Sequence, residues 1–600
     1  MSALAPAPTS TDTAMSIGTT RTVATSTSVW LRLFDVPLAR VVALVFGYVL
    51  ASLTATWPLA ANITTAIPEG TEHEATVSIF SLWGLWWTAD RAAHGFAGYW
   101  DAPFFHPARG VTAYSEPFPL VGLAVGPLWG LDLPPALIYN IALLGLLTLN
   151  GLFTYRLLRA LDIAVVPASL GGLLAITLPF VAKVQGALPL AAVFGIPWTL
   201  EGLVRFAKTG STRWAAWAGM GLVATYLTCQ QYALVFGPVL VGAEVIALAQ
   251  HRFARRPTLR LFGAMLVSAL VVGLVALPGL RVRSDAGFRR SEDLVQALSA
   301  RPGDFLTRPG LATVSFPASD PSDTGGLFPG FLVFGLATVG LVGGARHRAT
   351  RRWTIFVAAS VATSALVAMA LNVELGGWHP FATARAIIPG LAELRSPTRA
   401  TTMLQLCLVI LATLGLAAMW SRMPRKGATL VALLGVLAAA ENVSIPLRLT
   451  TVPLSTHTEW ADWLRDQGPD TVVAHIPFPA GLHVSDYEVE AWRMFAQIDH
   501  QKPIVNGYSG NFPQLRSPLG AVVPVYTQFQ LAIAQQFPTE QLLCILQRSQ
   551  DVNTLVVDRG WLEGHATQLA EFSSFIEPAY GDEQVQIYRL QAPAGRCSPS

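Results

Sequence analysis

Residues 251–280 read HRFARRPTLRLFGAMLVSALVVGLVALPGL. Four arginines (Arg252, Arg255, Arg256, Arg260) precede twenty residues, 261–280, that carry no charge. About 20 consecutive apolar residues in an α-helix match the hydrocarbon thickness of a bilayer. A basic cluster at one end sets direction, because cytoplasmic loops collect Lys and Arg. The stretch is read as a membrane span that starts in the cytoplasm and ends outside.

The pattern repeats on both sides of it. Apolar segments of spanning length are 41–60, 138–158, 163–181, 187–206, 213–229, 231–249, 260–280, 326–344, 353–372, 402–420 and 428–447, about eleven spans in all. With the N-terminus inside, the cytoplasmic turns hold Arg156 and Arg159; Arg205, Lys208 and Arg213; the cluster above; Arg346, Arg348, Arg351 and Arg352; and Arg422, Arg425 and Lys426. Residues 117–131 (PFPLVGLAVGPLWGL) are apolar but short, rich in Pro and Gly, and flanked by Glu116 and Asp132. Counting them as a span would move every cluster outside, so they are read as a re-entrant or interfacial segment. The fold expected is mainly α, a polytopic transmembrane helix bundle in the cell inner (cytoplasmic) membrane.

Composition agrees. The chain is 52% hydrophobic and 13% charged, against roughly 25% charged in soluble domains. Residues 451–600 hold eight Lys+Arg and sixteen Asp+Glu (−8), and the remainder 32 and 21 (+11). Opposite signs suggest two environments. No basic run with interleaved aromatics exists, so no nucleic-acid partner is expected. Neither a Walker motif, a Rossmann fingerprint nor a Gly-x-Ser-x-Gly elbow is present, which argues against a soluble hydrolase. Cys229 and Cys407 lie in apolar segments; a Cys544–Cys597 disulfide is left open for an oxidising compartment.

Three regions follow. Residues 1–30 are expected as a disordered cytoplasmic tail, with thirteen Ser/Thr in the first 28 positions. Residues 31–447 form the transmembrane domain, with a large extracytoplasmic first loop at 61–137. Residues 448–600 follow as an extracytoplasmic α/β domain, with strand-like stretches at 471–477, 553–558 and 584–590. Helical spacing marks 459–467 and 539–550. The first loop carries seven acids (Glu69, Glu72, Glu74, Asp90, Asp101, Glu116, Asp132) against Arg91 and Arg109. Its residues 75–89 have aromatics at helical spacing, as in a helix lying in the membrane interface.

The order of one span, a long acidic outside loop, many further spans and an extracytoplasmic C-terminal domain resembles the GT-C superfamily of membrane glycosyltransferases. WDAPFFHP (100–107), YSEP (114–117), YN (139–140), RSPTR (395–399) and NGYSGNFP (506–513) resemble uncharacterised bacterial proteins of that kind. The resemblance implies a polyprenyl-phosphate sugar donor. It further implies a loop carboxylate as general base, a cation on the leaving phosphate, and a cell-envelope glycan, lipid or protein as acceptor. It places Glu74 or Glu72 as the base, with Asp90 and Glu116 next. Arg395 and Arg399, stiffened by Pro397, are the phosphate ligands, with Lys183 second. Asp101, His106, Asn506 and Tyr508 are substrate contacts. The chain departs from clearer members in lacking an adjacent acidic pair.

Each position has a plainer reading. Glu72 and Glu74 suit solvated loop acids, Asp90 pairs with Arg91 or His94, and Asp101 and His106 fix a turn. Arg395 and Arg399 suit headgroup anchors. No cofactor is indicated; a divalent metal on Glu74, His106 and Glu116 is chemically allowed. The rival functions are a non-catalytic scaffold for envelope assembly and a lipid-linked saccharide transporter or flippase. A transporter would place ionisable groups near the midplane, whereas the charges here sit at span ends and in loops.

Overall fold

The computed structural model describes residues 38–70, 74–310, 316–320, 322–346, 350–388, 390–479, 483–516, 522–524, 539–570, 573–591 and 597. The expected N-terminal tail and Glu72 lie outside them. Residues 46–600 form one compact unit.

The chain is mainly helical. Among the described residues, eight helices are long and apolar enough to cross a membrane: Leu38–Ala55, Pro135–Ala160, Val165–Lys183, Leu188–Thr209, Gln230–Gln250, Arg255–Asp285, Arg351–Asn372 and Pro397–Arg422. Each falls on an expected span. The other three expected spans fall on shorter helices, Thr212–Thr228, Phe331–Arg346 and Arg425–Ala440. The difference is length: a 16-residue helix rises about 24 Å, less than a hydrocarbon core of roughly 30 Å. Residues 119–129 form an 11-residue helix with Pro127 inside it, far too short to span.

Burial separates inner from outer helices. The Leu188–Thr209 window is 89% buried within the protein and Pro397–Arg422 is 78%, whereas Arg255–Asp285 is only 17%. The last therefore presents Leu, Val and Phe outward, as lipid-facing helices do. Phe331–Arg346 packs on Thr401–Arg422 through Gly340 and Gly415, where an added Cβ would strike the partner's backbone. Small residues let membrane helices approach this closely.

Two carboxylates of the bundle are each paired with arginine. Glu201 is fully buried and accepts two bonds from Arg156 (2.9 and 3.0 Å), one from Arg205 (2.9 Å) and one from Trp217 Nε1 (3.2 Å). Glu441 ties Arg308 to the start of the helix Phe331–Arg346. Its carboxylate accepts the N–H groups of Phe331 (2.7 Å) and Leu332 (2.9 Å), the first turn of a helix, and the guanidinium of buried Arg308 (2.6 Å). Removing one partner of a buried ion pair leaves the other uncompensated and costs about 3–5 kcal/mol. Glu441→Ala is expected to lower the thermal midpoint of the purified protein by several degrees, with Glu441→Gln intermediate; an unchanged midpoint in both would contradict this role.

The C-terminal segment builds a four-stranded mixed sheet. Number the strands in chain order: β1 Ala66–Pro68, β2 Leu449–Thr451, β3 Val473–Ile476, β4 Gln514–Arg516, β5 Val522–Pro524, β6 Thr554–Asp558, β7 Ile576–Gly581 and β8 Val585–Leu590. The sheet order is β3-β6-β8-β7, with β3 parallel to β6 and the other pairs antiparallel. Three of its strands match the expected stretches. Cys544 and Cys597 are joined as a disulfide.

This segment is stitched to the first loop. β1 pairs antiparallel with β2. Phe105 and His106 donate backbone N–H groups to Asn506 O (3.1 Å) and Ile504 O (2.9 Å), and Ile504 donates to Pro103 O (2.9 Å). WDAPFFHP and NGYSGNFP are thus two sides of one seam. Gly507, at φ +151°, lies where a side chain would meet Phe104 and Phe105.

The seam corrects one expectation. Residues 75–89 belong to the helix Thr76–Ala93, but it is not an interfacial helix with its tryptophans in lipid. Ten of its eighteen residues are buried. Trp83 stacks on Trp87 (5.7 Å) and meets Phe104 edge-on (5.2 Å), and Trp87 Nε1 donates to Tyr99 O (2.9 Å). The helices Pro119–Trp129 and Glu488–His500 cover it, so the apolar stripe finds protein rather than membrane.

Candidate functional site

Helix ends and turns at one end of the bundle enclose two adjoining cavities. The smaller, about 110 Å³, is lined by Gly70, Glu74, Lys183, Asp323, Ser396 and Thr398 among others. The larger, about 620 Å³, has a polar end with Glu116, Arg283, Arg290, Glu393 and Asn511, and an apolar wall that includes Leu222, Leu234, Val272, Ala276 and Leu280. Arg395, Arg399 and Tyr508 line both.

Glu74 sits just before the helix Thr76–Ala93, and its residue is only 6% exposed. The partial positive charge of a helix N-terminus favours the ionised carboxylate there. Arg395 and Arg399 are held by the Pro397–Ala400 turn that leads into Thr401–Arg422. Among the described residues neither guanidinium has a hydrogen bond or an ion pair. Arg290 joins them from another loop: it donates to Gly510 O (2.5 Å), and burial followed by the charges of Arg395 and Arg399 brings its pKa down to about 10. It remains a cation. Three guanidiniums that repel one another around a half-enclosed space form a site an anion would stabilise.

The same chamber holds compensating acids. Arg283 pairs with Glu393 (3.3 Å) and reaches Gln230 Oε1 (3.3 Å). Glu116 accepts the N–H of Gln231 (2.7 Å) at the start of the helix Gln230–Gln250, meeting a donor that no helical carbonyl can reach. Burial pushes the Glu116 carboxyl up, opposed by Arg399 and by that N–H.

The other sequence candidates lie elsewhere or are engaged. Lys183 lines the smaller cavity, but its ammonium donates to Ser322 O (2.5 Å), Asp323 O (2.9 Å) and Gly325 O (2.8 Å), which uses all three protons. Asp90 is bonded by Arg91 Nε (2.7 Å) at the far end of its helix. Asp101 accepts the Gly110 N–H (2.8 Å) and fixes the turn. His106 belongs to the seam, and burial pulls its pKa down. Asn506 is fully buried: it bridges both backbone groups of His475 (2.6 and 3.1 Å) and donates to Glu490 (3.0 Å). Tyr508, packed edge-on against Phe80 at 5.5 Å, lines both cavities, and Gly510 and Asn511 of the same motif line the larger one.

Glu74, His106 and Glu116 do not share one cavity, so they do not make the metal site the sequence allowed. Among the described residues, only His457, Asp462 and Asp499 have metal-ligand spacing, and Arg465 bridges both carboxylates. Sequence reasoning missed Arg283, Arg290 and Glu393. Their signal was available: RVRSDAGFRR (281–290) puts basic residues at the outer end of a span, where orientation does not call for them.

A family model described as "Domain of unknown function (DUF6311)" matches residues 99–440. No match is found among the curated proteins. Among solved structures, the chain is similar to the arabinofuranosyltransferase AftD from Mycobacteria, with a TM-score of 0.53 at 16% identity. That similarity covers 93% of this chain and 40% of the other, so the chain spans well under half of that protein's length. ArnT from Cupriavidus metallidurans is similar over 92% of this chain and 99% of its own, at 11% identity and a TM-score of 0.42. The AftD likeness shows a shared fold, carried here by eight helices long and apolar enough to cross a membrane among the described residues.

Proposed function

We propose, from the premise that the chain belongs to the DUF6311 family and has a GT-C-like fold, that it is a membrane glycosyltransferase. It takes a sugar from a polyprenyl-phosphate donor and passes it to a cell-envelope acceptor on the extracytoplasmic side. The observation that carries the reading is the placement of Arg395 and Arg399 among the residues lining both cavities, one holding Glu74 and the other with an apolar wall.

In this reading the larger cavity takes the first isoprene units of the donor along Leu222, Val272 and Ala276. Arg290, Arg395 and Arg399 hold the phosphate. The acceptor hydroxyl enters the smaller cavity beside Glu74. Glu74 takes the hydroxyl proton, and the oxygen attacks the anomeric carbon from the face opposite the phosphate. The bond from that carbon to the phosphate oxygen breaks, the electron pair leaves with the phosphate, and the configuration inverts. The guanidiniums oppose the charge that grows on the leaving group, where fixed cations act most strongly. Glu116 shapes the chamber by capping Gln230–Gln250.

The Cys544–Cys597 disulfide supports an extracytoplasmic C-terminal segment, since such bonds persist in oxidising compartments. Reporter fusions test the orientation. Fusions after Arg256 and Arg425 are expected to report cytoplasm, and fusions after Gly310 and Arg465 the outside. A cytoplasmic signal after Arg465 would put the site on the wrong side of the membrane for this function.

A further inference from the structure

The span Arg351–Asn372 ends in a short hairpin, bridged between Leu375 and Trp378, and then the helix Pro380–Ile387. This piece presents large apolar side chains outward: Leu375 is 59% exposed, Trp378 54% and Ile387 73%. Thr383 and Ile387 lie four apart and share a helix face. Trp378 Nε1 donates to Thr383 Oγ1 (2.8 Å), which lays the indole along that face. The opposite face is docked: Phe381 is buried, and Arg385 donates to Arg290 O (2.7 Å) and Ala392 O (3.4 Å).

Position identifies what covers the outer face. Leu375 lies three residues beyond the span, hence within about 10 Å of its end. The headgroup layer on each side of a bilayer is roughly 5–7 Å deep. Trp and amphipathic helices concentrate in that layer. The face is also continuous with a lipid-facing helix, on which Leu366 is exposed.

We propose that residues 373–388 form an amphipathic anchor that beds Leu375, Trp378 and Ile387 in the headgroup layer of the outer leaflet. Through Arg385 the anchor holds the backbone of Arg290, and so seats the arginine cluster at phosphate depth. This rests on the chain being a membrane protein and not on glycosyl transfer.

The test uses the full chain in phosphatidylcholine–phosphatidylglycerol vesicles, with an environment-sensitive fluorophore on Ile387→Cys or Leu375→Cys. The two free cysteines, Cys229 and Cys407, are buried. Lipids carrying a nitroxide near the acyl carbonyl should quench both labels strongly, and lipids with the nitroxide near the chain end should quench them less. A label on exposed Asp470→Cys should be quenched by neither. Adding Trp378→Asp and Ile387→Asp, both at exposed positions, should abolish quenching at Leu375→Cys. Quenching at 387 no greater than at 470 would overturn the proposal. So would quenching at 375 that survives the double substitution.

Discussion

Glu74→Gln is expected to lower turnover about 10²–10⁴-fold, the usual contribution of a positioned general base, while donor affinity stays near that of the unaltered protein. Gln keeps the volume and one acceptor oxygen but cannot take the hydroxyl proton. The residue is buried at a helix N-terminus and lines the smaller cavity with Arg395 and Arg399. The measurement is single-turnover sugar transfer beside an independent donor-binding titration. Asp90→Asn is the control, because Asp90 is tied to Arg91 outside both cavities. A normal rate in Glu74→Gln would remove Glu74 as the base. Glu72→Gln and Glu116→Gln would then be the next variants to assay.

Replacing Arg395 or Arg399 by Ala is expected to weaken donor binding by ~1.5–3 kcal/mol each, the range of a hydrogen bond to a charged group, or roughly 10- to 100-fold. Lys should restore only part of it, since the planar fork that grips two phosphate oxygens is lost. The double substitution should depart from additivity, because both guanidiniums face one space and each alters the field at the other. Unchanged affinity in both single variants would leave these residues as headgroup anchors. Phosphate binding is the stronger reading because neither guanidinium has a hydrogen bond or an ion pair among the described residues, while Arg290 feels both of their charges.

Much of the membrane architecture was legible because lipid imposes one rule: satisfy the backbone within a helix and keep charge at the ends. Runs such as 261–280 obey it visibly. The helices Phe331–Arg346 and Arg425–Ala440 are shorter than their apolar segments suggested. Pairing such as Gly340 on Gly415 cannot be read from hydropathy. The strands β3, β6 and β8 announced themselves through β-branched residues. β7 (IEPAYG) did not, since Pro and Gly mask an edge strand.

The candidate site was legible in part for a related reason. Arg395 and Arg399 stood out because they are basic residues just outside a span. Asp101, His106 and Asn506 stood out for being polar in aromatic motifs, but Asp101 fixes a turn, and His106 and Asn506 serve the seam between residues 103–106 and 504–506. Local spacing does not show that two motifs some 400 positions apart will pair. Asn506 drew notice as a sugar contact, yet it is Tyr508, Gly510 and Asn511, further along the motif, that line the cavities. Lys183, expected as a second phosphate ligand, lines the smaller cavity, but three carbonyls about 140 residues away occupy its ammonium.

The most direct measurement of sugar transfer is release of free polyprenyl phosphate. The purified chain would be reconstituted in phospholipid vesicles with a panel of radiolabelled polyprenyl-phosphate sugars and envelope extract as acceptor. At least one donor should bind and be discharged, with label moving to the acceptor. Discharge should fall by the factor expected for Glu74→Gln, while that variant still binds the same donor. A wild-type protein that binds none of the donors and discharges none would contradict the glycosyltransferase reading and leave an envelope scaffold as the better description.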